Sequence, residues 1–247
     1  MSEYLYAPVI KEGAIFLADA HENINRDGFL KFLRAVDSGE IKEPPQIFLL
    51  GDIFDFLTGE GEYTQKFYAE HLRLINKISQ KVEIFYFEGN HDFNLREIFP
   101  RAKVYPNAAQ PVKFICEGGE AVQIAHGDLF LPRLTQFALL SLRNRTFLKF
   151  MDLLDRALKF KISKVILKSQ EGKNLYKKML NFKDIIAPKI GFYAANLIIE
   201  GHYHQDEILY FGEKKYINLC SFGAGSKIYE VAKSEKFMLI PKNLNLN

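Results

Sequence analysis

Short apolar runs recur along the first half of the chain, separated by stretches whose apolar residues fall three and four positions apart. "AIFLAD", "PQIFLLGD" and "VEIFYFEGN" read as buried strands, each closed by a polar signal. Between them, "RDGFLKFLRAVDSG" reads as a helix ended by Gly39, and "TQKFYAEHLRLINKIS" as a second helix. The pattern then changes. "PVKFIC" and "AVQIAHGD" flank "EGGE" as a hairpin, and "EILYFGEKKYINL" and "SKIYEVAKSEKFMLIP" read as two more. A stretch lying between these hairpins, notably "FLKFMDLLDRALKFKISKVILK", returns to helical periodicity, and the tail "KNLNLN" reads as a frayed end. Strand-helix-strand units followed by hairpins predict a mixed sheet, or two packed sheets, with helices outside.

A chain of 247 residues, 48% apolar and 26% charged, can bury a substantial core and has the composition of a globular protein. Cys116 and Cys220 lie far apart in no metal-binding spacing, which argues against a disulfide framework and fits a reducing compartment. No secretory signal opens the sequence and no apolar run is long enough to span a bilayer, so a cytoplasmic location is expected. Charge changes the picture more. Between Leu129 and Lys189 there are 14 basic and four acidic residues, a net of +10 in a chain of net +3, which leaves −7 for the rest. So cationic a segment points to an acidic or phosphorylated partner.

The apolar strands end in polar signatures. Asp19 and His21 follow the first, and Asp52 and Asp55 the second. Asn90, His91 and Asp92 follow the third, His126 and Asp128 the hairpin, and His202 and His204 a later apolar run. Singly, an Asp after a strand is most often a turn or helix cap. Together the clusters hold five of the six histidines, and ligand sites in sheet proteins of this kind collect beyond the carboxyl ends of strands. His202 and His204, two apart on an extended segment, can reach toward one place. His71 lies in a helical pattern and reads as a packing residue, while Asp55, Asp92 and Asp128 read as supports rather than primary ligands. Carboxylates, an amide oxygen and imidazoles without thiolates suit Mn²⁺, Fe²⁺ or Zn²⁺ and argue against a structural zinc site. The donors are too many for one ion. Two ions sharing a carboxylate, about 3.5–4 Å apart, can clamp a phosphate during in-line displacement.

The series D-x-H, GD-x-x-D, GNHD, HGD and GH-x-H resembles the calcineurin-like metallophosphoesterases, with all five motifs present from Asp19 to His204. The resemblance implies an α/β (α+β) fold, a four-layer αββα sandwich of two mixed sheets flanked by helices. It implies Asp19, His21 and His204 on one metal, Asn90, His126 and His202 on the other, and Asp52 bridging them. It also implies His91 facing the substrate phosphate, with Asp92 orienting it. The expected reaction is phosphoester or pyrophosphate hydrolysis by in-line attack of a metal-bridging hydroxide, with Mn²⁺ as the expected metal.

Phe56 and Asp92 stand where the serine/threonine phosphatases and related dinucleoside tetraphosphatases carry Arg and Glu, which argues against that branch. The basic segment, 129–190, reads as a helical cap inserted into a core made of 1–128 and 191–247. Its Leu, Phe and Ile suit an apolar chamber, and its Arg and Lys a rim for a diphosphate or an anionic membrane. This arrangement is similar to that of the UDP-2,3-diacylglucosamine pyrophosphatases of lipid A synthesis, peripheral membrane enzymes that release UMP and 2,3-diacylglucosamine 1-phosphate. "KSQEGKNLYKK" resembles their substrate helix, which marks Lys173 and Lys177 as phosphate contacts beside Asn90 and His91. His91 stands where that group usually has Arg. The alternatives are a phosphodiesterase or nuclease acting on nucleotides or nucleic acid, and a non-catalytic scaffold, against which the full ligand set speaks.

Overall fold

The computed structural model describes residues 7–131, 133–232 and 237–246, with the side chain of Arg133 outside the description. In chain order, β1 (Val9–Ile10) and β2 (Ile15–Leu17) precede α1 (Gly28–Ser38). Strands β3 (Gln46–Leu49) and β4 (Leu57–Thr58) precede α2 (Glu62–Phe67) and α3 (Ala69–Ile78). Next come β5 (Glu83–Phe87), β6 (Asp92–Phe93), β7 (Lys103–Tyr105), β8 (Val112–Cys116) and β9 (Ala121–Ala125). Helices α4 (Arg133–Leu142), α5 (Arg145–Ala157), α6 (Lys161–Gln170) and α7 (Phe182–Ile186) follow. The chain closes with β10 (Leu197–Glu200), β11 (Glu207–Phe211), β12 (Lys214–Asn218), β13 (Lys227–Val231) and β14 (Leu239–Asn243).

Among the described residues the strands form two mixed six-stranded sheets and a two-stranded pair, β4–β6. One sheet has the order β14-β13-β2-β3-β5-β7, the other β1-β8-β9-β10-β12-β11. Alternation along the strands explains the layers, because successive side chains leave opposite faces. In β2, Ile15 and Leu17 join a core with Phe29, Phe32 and Leu74 of α1 and α3, while Phe16 points to the other sheet. Strand β3 repeats this with Ile47 and Leu49 against Phe48, and β5 with Ile84 and Tyr86 against Phe85. Across the middle, Leu197 and Ile199 of β10 meet these phenyl rings, and Ile198 turns outward to Phe182 and Ile186 of α7. Strands apolar on both faces are what a sheet covered on both sides requires. The fold is the expected sandwich of two mixed sheets flanked by helices.

Phe16, Phe48 and Phe85 occupy register-paired positions on β2, β3 and β5. Their rings stack with centroids 4.1 and 4.7 Å apart. Helix α1 closes on Gly39 in the left-handed conformation, as expected. The expected hairpins form as β8–β9, β11–β12 and β13–β14, with residues 233–236 of the third outside the described residues.

Three features differ from the sequence reading. The helix expected over "TQKFYAEHLRLINKIS" is two, broken at Tyr68, which turns inward to pack at a tilt against Phe54 and donates its hydroxyl to the Glu22 carbonyl at 2.7 Å. The basic helical stretch also breaks, at Lys159 and Phe160, both with positive φ. There the buried Asp155 carboxylate accepts from the amides of Ile162 and Ser163, capping α6. The tail is not frayed at its start. Asn243 belongs to β14, Leu244 donates its amide to Ser226 O at 3.0 Å, and Leu244 and Leu246 pack on the core.

Candidate active site

The loops that follow β2, β3, β5, β9 and β10 carry all the polar signatures, and the structure brings them together where the two sheets meet. Asp19, His21, Asp52 and His126 are buried, and Asn90, His91, His202 and His204 are partly exposed. Among the described residues three overlapping groups place ligand atoms within 4.8 Å of one another: Asp19–His21–His204, His21–Asp52–His91 and Asp52–His126–His202. Asn90 joins the last, its Oδ1 3.4 Å from His126 Nε2. Asp52 and His21 are each shared between two groups, so the donors form one elongated cluster with Asp52 near its middle.

The backbone is bent to achieve this. Asp19, His21, Asp52, His202 and His204 have φ of 53°, 47°, 49°, 63° and 59°, in the left-handed region that non-glycine residues seldom occupy. Such conformations cost of order 1–3 kcal/mol each and persist where the surroundings fix them. Cross-loop bonds do so here: Asp19 N–H donates to Gly51 O and His21 N–H to Asp52 O, both at 3.0 Å. The motif glycines permit the approach. A Cβ on Gly89 would lie 2.2 Å from Asp52 Oδ1, and one on Gly201 2.6 Å from Asp19 Oδ2.

Two of the imidazoles are oriented through Nδ1 on a backbone carbonyl. His126 Nδ1 donates to Leu50 O at 2.7 Å, which leaves Nε2 facing Asn90, Asp52 and His202 Nδ1. His91 Nδ1 donates to Asp55 O at 2.8 Å, which leaves Nε2 toward the cluster. His204 Nε2 lies 3.2 Å from Asp19 Oδ1. Yet Asp19 Oδ1 is buried without an aligned hydrogen bond, as is His21 Nδ1, which lies 3.2 Å from Asp55 Oδ1. An unsatisfied buried carboxylate oxygen facing an imidazole nitrogen is the chemistry of a cation site, and oxygen and nitrogen donors without sulfur fit borderline divalent ions.

Protonation agrees. Burial alone would raise Asp19 and Asp52, but the imidazoles beside them, His204 for Asp19 and His126 for Asp52, hold both below the usual carboxylate range. Burial holds His21 well below its usual value, and burial with the neighbouring His126 lowers His202 to about 4. Burial opposes charge on His126 too, but Asp52 and then Asp128 raise it well above its ordinary value.

Lys173, on the loop after α6, reaches into the cluster, its Nζ 3.1 Å from His21 Nε2 and 3.3 Å from His91 Nε2. Lys177 is exposed, and its carbonyl accepts from Gln205 Nε2 at 3.1 Å. The expectation that Asp92 orients His91 is corrected. Its carboxylate accepts from the amides of Asp52, Ile53 and Gly89 and from the Tyr86 hydroxyl, so it shapes the loop that presents Asp52. The Asp55 carbonyl orients His91 instead, and the Asp55 carboxylate accepts from Asn23 and Arg26 behind His21. His71 packs in the interior against Glu22.

Sequence reasoning missed several supports. Gln110 Oε1 accepts from His126 N–H at 2.7 Å, and Arg26 links Asp55 to the carbonyls of Gln170 and Glu171. Arg143 and the buried Lys189 had counted only as charge. No local pattern distinguishes them from solvated side chains.

This geometry is that of a metal-dependent phosphoesterase. The family model of the calcineurin-like phosphoesterases matches residues 14–206, and the chain belongs to that family. It is a metal-dependent phosphoesterase using divalent ions. Among curated relatives, the UDP-2,3-diacylglucosamine hydrolase of Blochmanniella pennsylvanica is 25% identical over 226 residues, covering 86% of this chain and 88% of the relative. The protein of the same name from Haemophilus influenzae is 26% identical over 175 residues, covering 66% and 70%. Among solved structures, a novel archaeal phosphodiesterase aligns over 94% of this chain and 99% of its own, at 12% identity and a TM-score of 0.46.

Proposed function

We propose that the protein hydrolyses the pyrophosphate of UDP-2,3-diacylglucosamine to UMP and 2,3-diacylglucosamine 1-phosphate. The observation that carries this reading is a cavity of about 310 Å³ that begins at Asn90 and extends under α4, α5 and α6. Phe56, Phe93, Leu142, Phe147, Met151 and Ile166 help line it. A phosphoester substrate without long apolar groups has no use for such a wall, whereas an acyl chain gains about 0.8 kcal/mol per buried CH₂. The names of the relatives support the same substrate.

In this reading 129–190 is a cap over a core of 1–128 and 191–247. Asp19, His21 and His204 hold one divalent ion, and Asn90, His126 and His202 the other, with Asp52 between them and Mn²⁺ the preferred metal. Bound ions supply Lewis acidity and lower the pKa of water. His91, its Nδ1 anchored on the Asp55 carbonyl, directs Nε2 at the substrate phosphate, where it neutralises charge or hands a proton to the leaving oxygen. Lys173 supplies a point charge beside it, Lys177 belongs to the outer basic rim, and Asp92 acts by shaping the Asp52 loop. Leu134 and Phe137, one turn apart on α4, are 85% and 72% exposed, and in this reading they meet an anionic membrane. Among the described residues no helix is long and apolar enough to cross one.

The test is product analysis with Mn²⁺, comparing UDP-2,3-diacylglucosamine with UDP-N-acetylglucosamine as the acyl-free control. UMP release from the lipid alone is expected. No release from either, with bis(p-nitrophenyl) phosphate still cleaved, would discard the lipid and favour a nucleotide or nucleic-acid phosphodiesterase.

A further inference from the structure

Two cations from the segment between β9 and β10 meet at the His126–Gly127–Asp128 loop. One guanidinium nitrogen of Arg143, NH2, donates to Asp128 Oδ2 at 2.8 Å and to Gly89 O at 2.9 Å. Gly89 O belongs to the peptide that begins Asn90, and Asp128 lies two residues after His126. The guanidinium also lies 5.7 Å from the Phe93 ring centroid, and the other Asp128 oxygen accepts from Asn107 Nδ2. From the opposite side, Lys189 Nζ donates to Gly127 O at 3.2 Å and to Glu200 Oε2 at 2.7 Å. Glu200 ends β10 immediately before Gly201–His202, and it also accepts from the hydroxyls of Tyr193 and Tyr216.

Asn90, His126 and His202 are therefore joined in series through two nearly buried cations, neither belonging to the strands that carry these residues. Buried ion pairs are poor stabilisers compared with apolar side chains of the same size. Their value lies in fixing acceptors at set positions, and Arg143 fixes two at once. The loops bearing Asp19 and His21 are held differently, by direct amide bonds to Gly51 O and Asp52 O.

We propose that Arg143 and Lys189 are positioning residues that couple the seating of the helical segment to one metal subsite. They clamp the Asn90–His126–His202 subsite, and neither bonds Asp19, His21 or His204. The proposal rests on the two-metal reading above, and its test separates the two. Mn²⁺ is titrated into the full-length protein, with binding followed by calorimetry and by the electron paramagnetic resonance of coupled ions. Wild type is expected to bind two ions. Arg143→Ala should keep one at unchanged affinity and bind the other about 10- to 100-fold more weakly, the usual cost of removing a group that orients a ligand.

Backgrounds locate the effect. Adding Arg143→Ala to His204→Ala should weaken the remaining ion, and adding it to Asn90→Ala should change nothing. Arg143→Lys should recover little, since a point charge does not reproduce the guanidinium geometry. Should Arg143→Ala fail to fold, Asp128→Asn and Lys189→Met break the same clamp at other points. Wild type that binds no Mn²⁺ would overturn the metal reading and this proposal with it. Two ions in wild type, with the variants binding both as tightly or losing both equally, would overturn the clamp alone.

Discussion

Lys173 Nζ lies 3.1 Å from His21 Nε2, the same lone pair that a divalent ion would take in the two-metal reading. In that reading ammonium and metal compete for one nitrogen. With the ion bound, the lysine needs a new acceptor, and a phosphate oxygen is the anion the reaction brings. Lys173→Met should raise KM for the pyrophosphate substrate about 10- to 100-fold, from roughly 1.5–3 kcal/mol for a charged hydrogen bond. Mn²⁺ uptake should not weaken. Steady-state kinetics beside a metal titration check this, and weaker Mn²⁺ binding would show the lysine to be part of the metal site's scaffold.

His202→Ala and His204→Ala should each lower kcat/KM roughly a thousandfold or more. A metal supplies several kcal/mol of transition-state stabilisation, and each 1.4 kcal/mol is tenfold. Circular dichroism should remain close to wild type, and full activity in either variant would refute the two-metal assignment.

The left-handed backbone at His204, φ 59°, supplies a second comparison. Glycine removes a left-handed penalty of about 1–2 kcal/mol but costs roughly 0.5–1 kcal/mol in unfolded-chain entropy. Metal-free His204→Gly should therefore melt about 1–4 °C above His204→Ala. Equal melting temperatures would mean that the loop relaxes when the imidazole is lost.

Ile166 on α6 lines the cavity under the helical segment. Ile166→Trp should fill that space and raise KM for the diacylated substrate about tenfold or more, the loss of a few buried methylenes. Hydrolysis of bis(p-nitrophenyl) phosphate should be unaffected. An equal effect on both substrates would place the acyl chains elsewhere.

Cys116 is 4% exposed, and burial, with Glu120 adding to it, pushes its thiol from 9.0 up to about 12. The native thiol holds its proton after the unfolded one has released it, so stability falls as pH rises from about 9 to about 12 and is untouched by this group below that window. At pH 8 the native thiol should resist iodoacetamide and react only on unfolding. Rapid labelling of Cys116 in the folded protein, read by peptide mass, would contradict this burial.

The strands at Ile15–Leu17, Ile47–Leu49 and Ile84–Phe87 were legible because a strand buried on both faces leaves no polar position to confuse the pattern. The candidate ligands were legible because their residue types and strand-end positions are dictated by chemistry at the site. The break at Tyr68 was not, since an inward phenol bonded to Glu22 O is decided by tertiary packing and not by helical spacing. The work of Asp92 was hidden for another reason. Adjacency to His91 suggested a side-chain contact, but the carboxylate turns back to the amides of the Asp52 loop. Arg26, Arg143 and Lys189 were invisible because a cation is identified as buried only once its acceptors, distant in sequence, are folded around it.

The two sheets divide the candidate ligands between them. The loops after β2, β3 and β5 bring Asp19, His21, Asp52 and Asn90, and those after β9 and β10 bring His126, His202 and His204. Strand β2, near the start of the chain, sits between β3 and β13, so its sheet is complete only after the last part of the chain arrives. During synthesis the first four donors emerge long before the other three and have no opposite wall. The two halves of the donor set meet only in the finished sandwich, so an ion held between them would act as a lock: it would add its binding free energy to the whole molecule's resistance to unfolding, rather than to that of one loop.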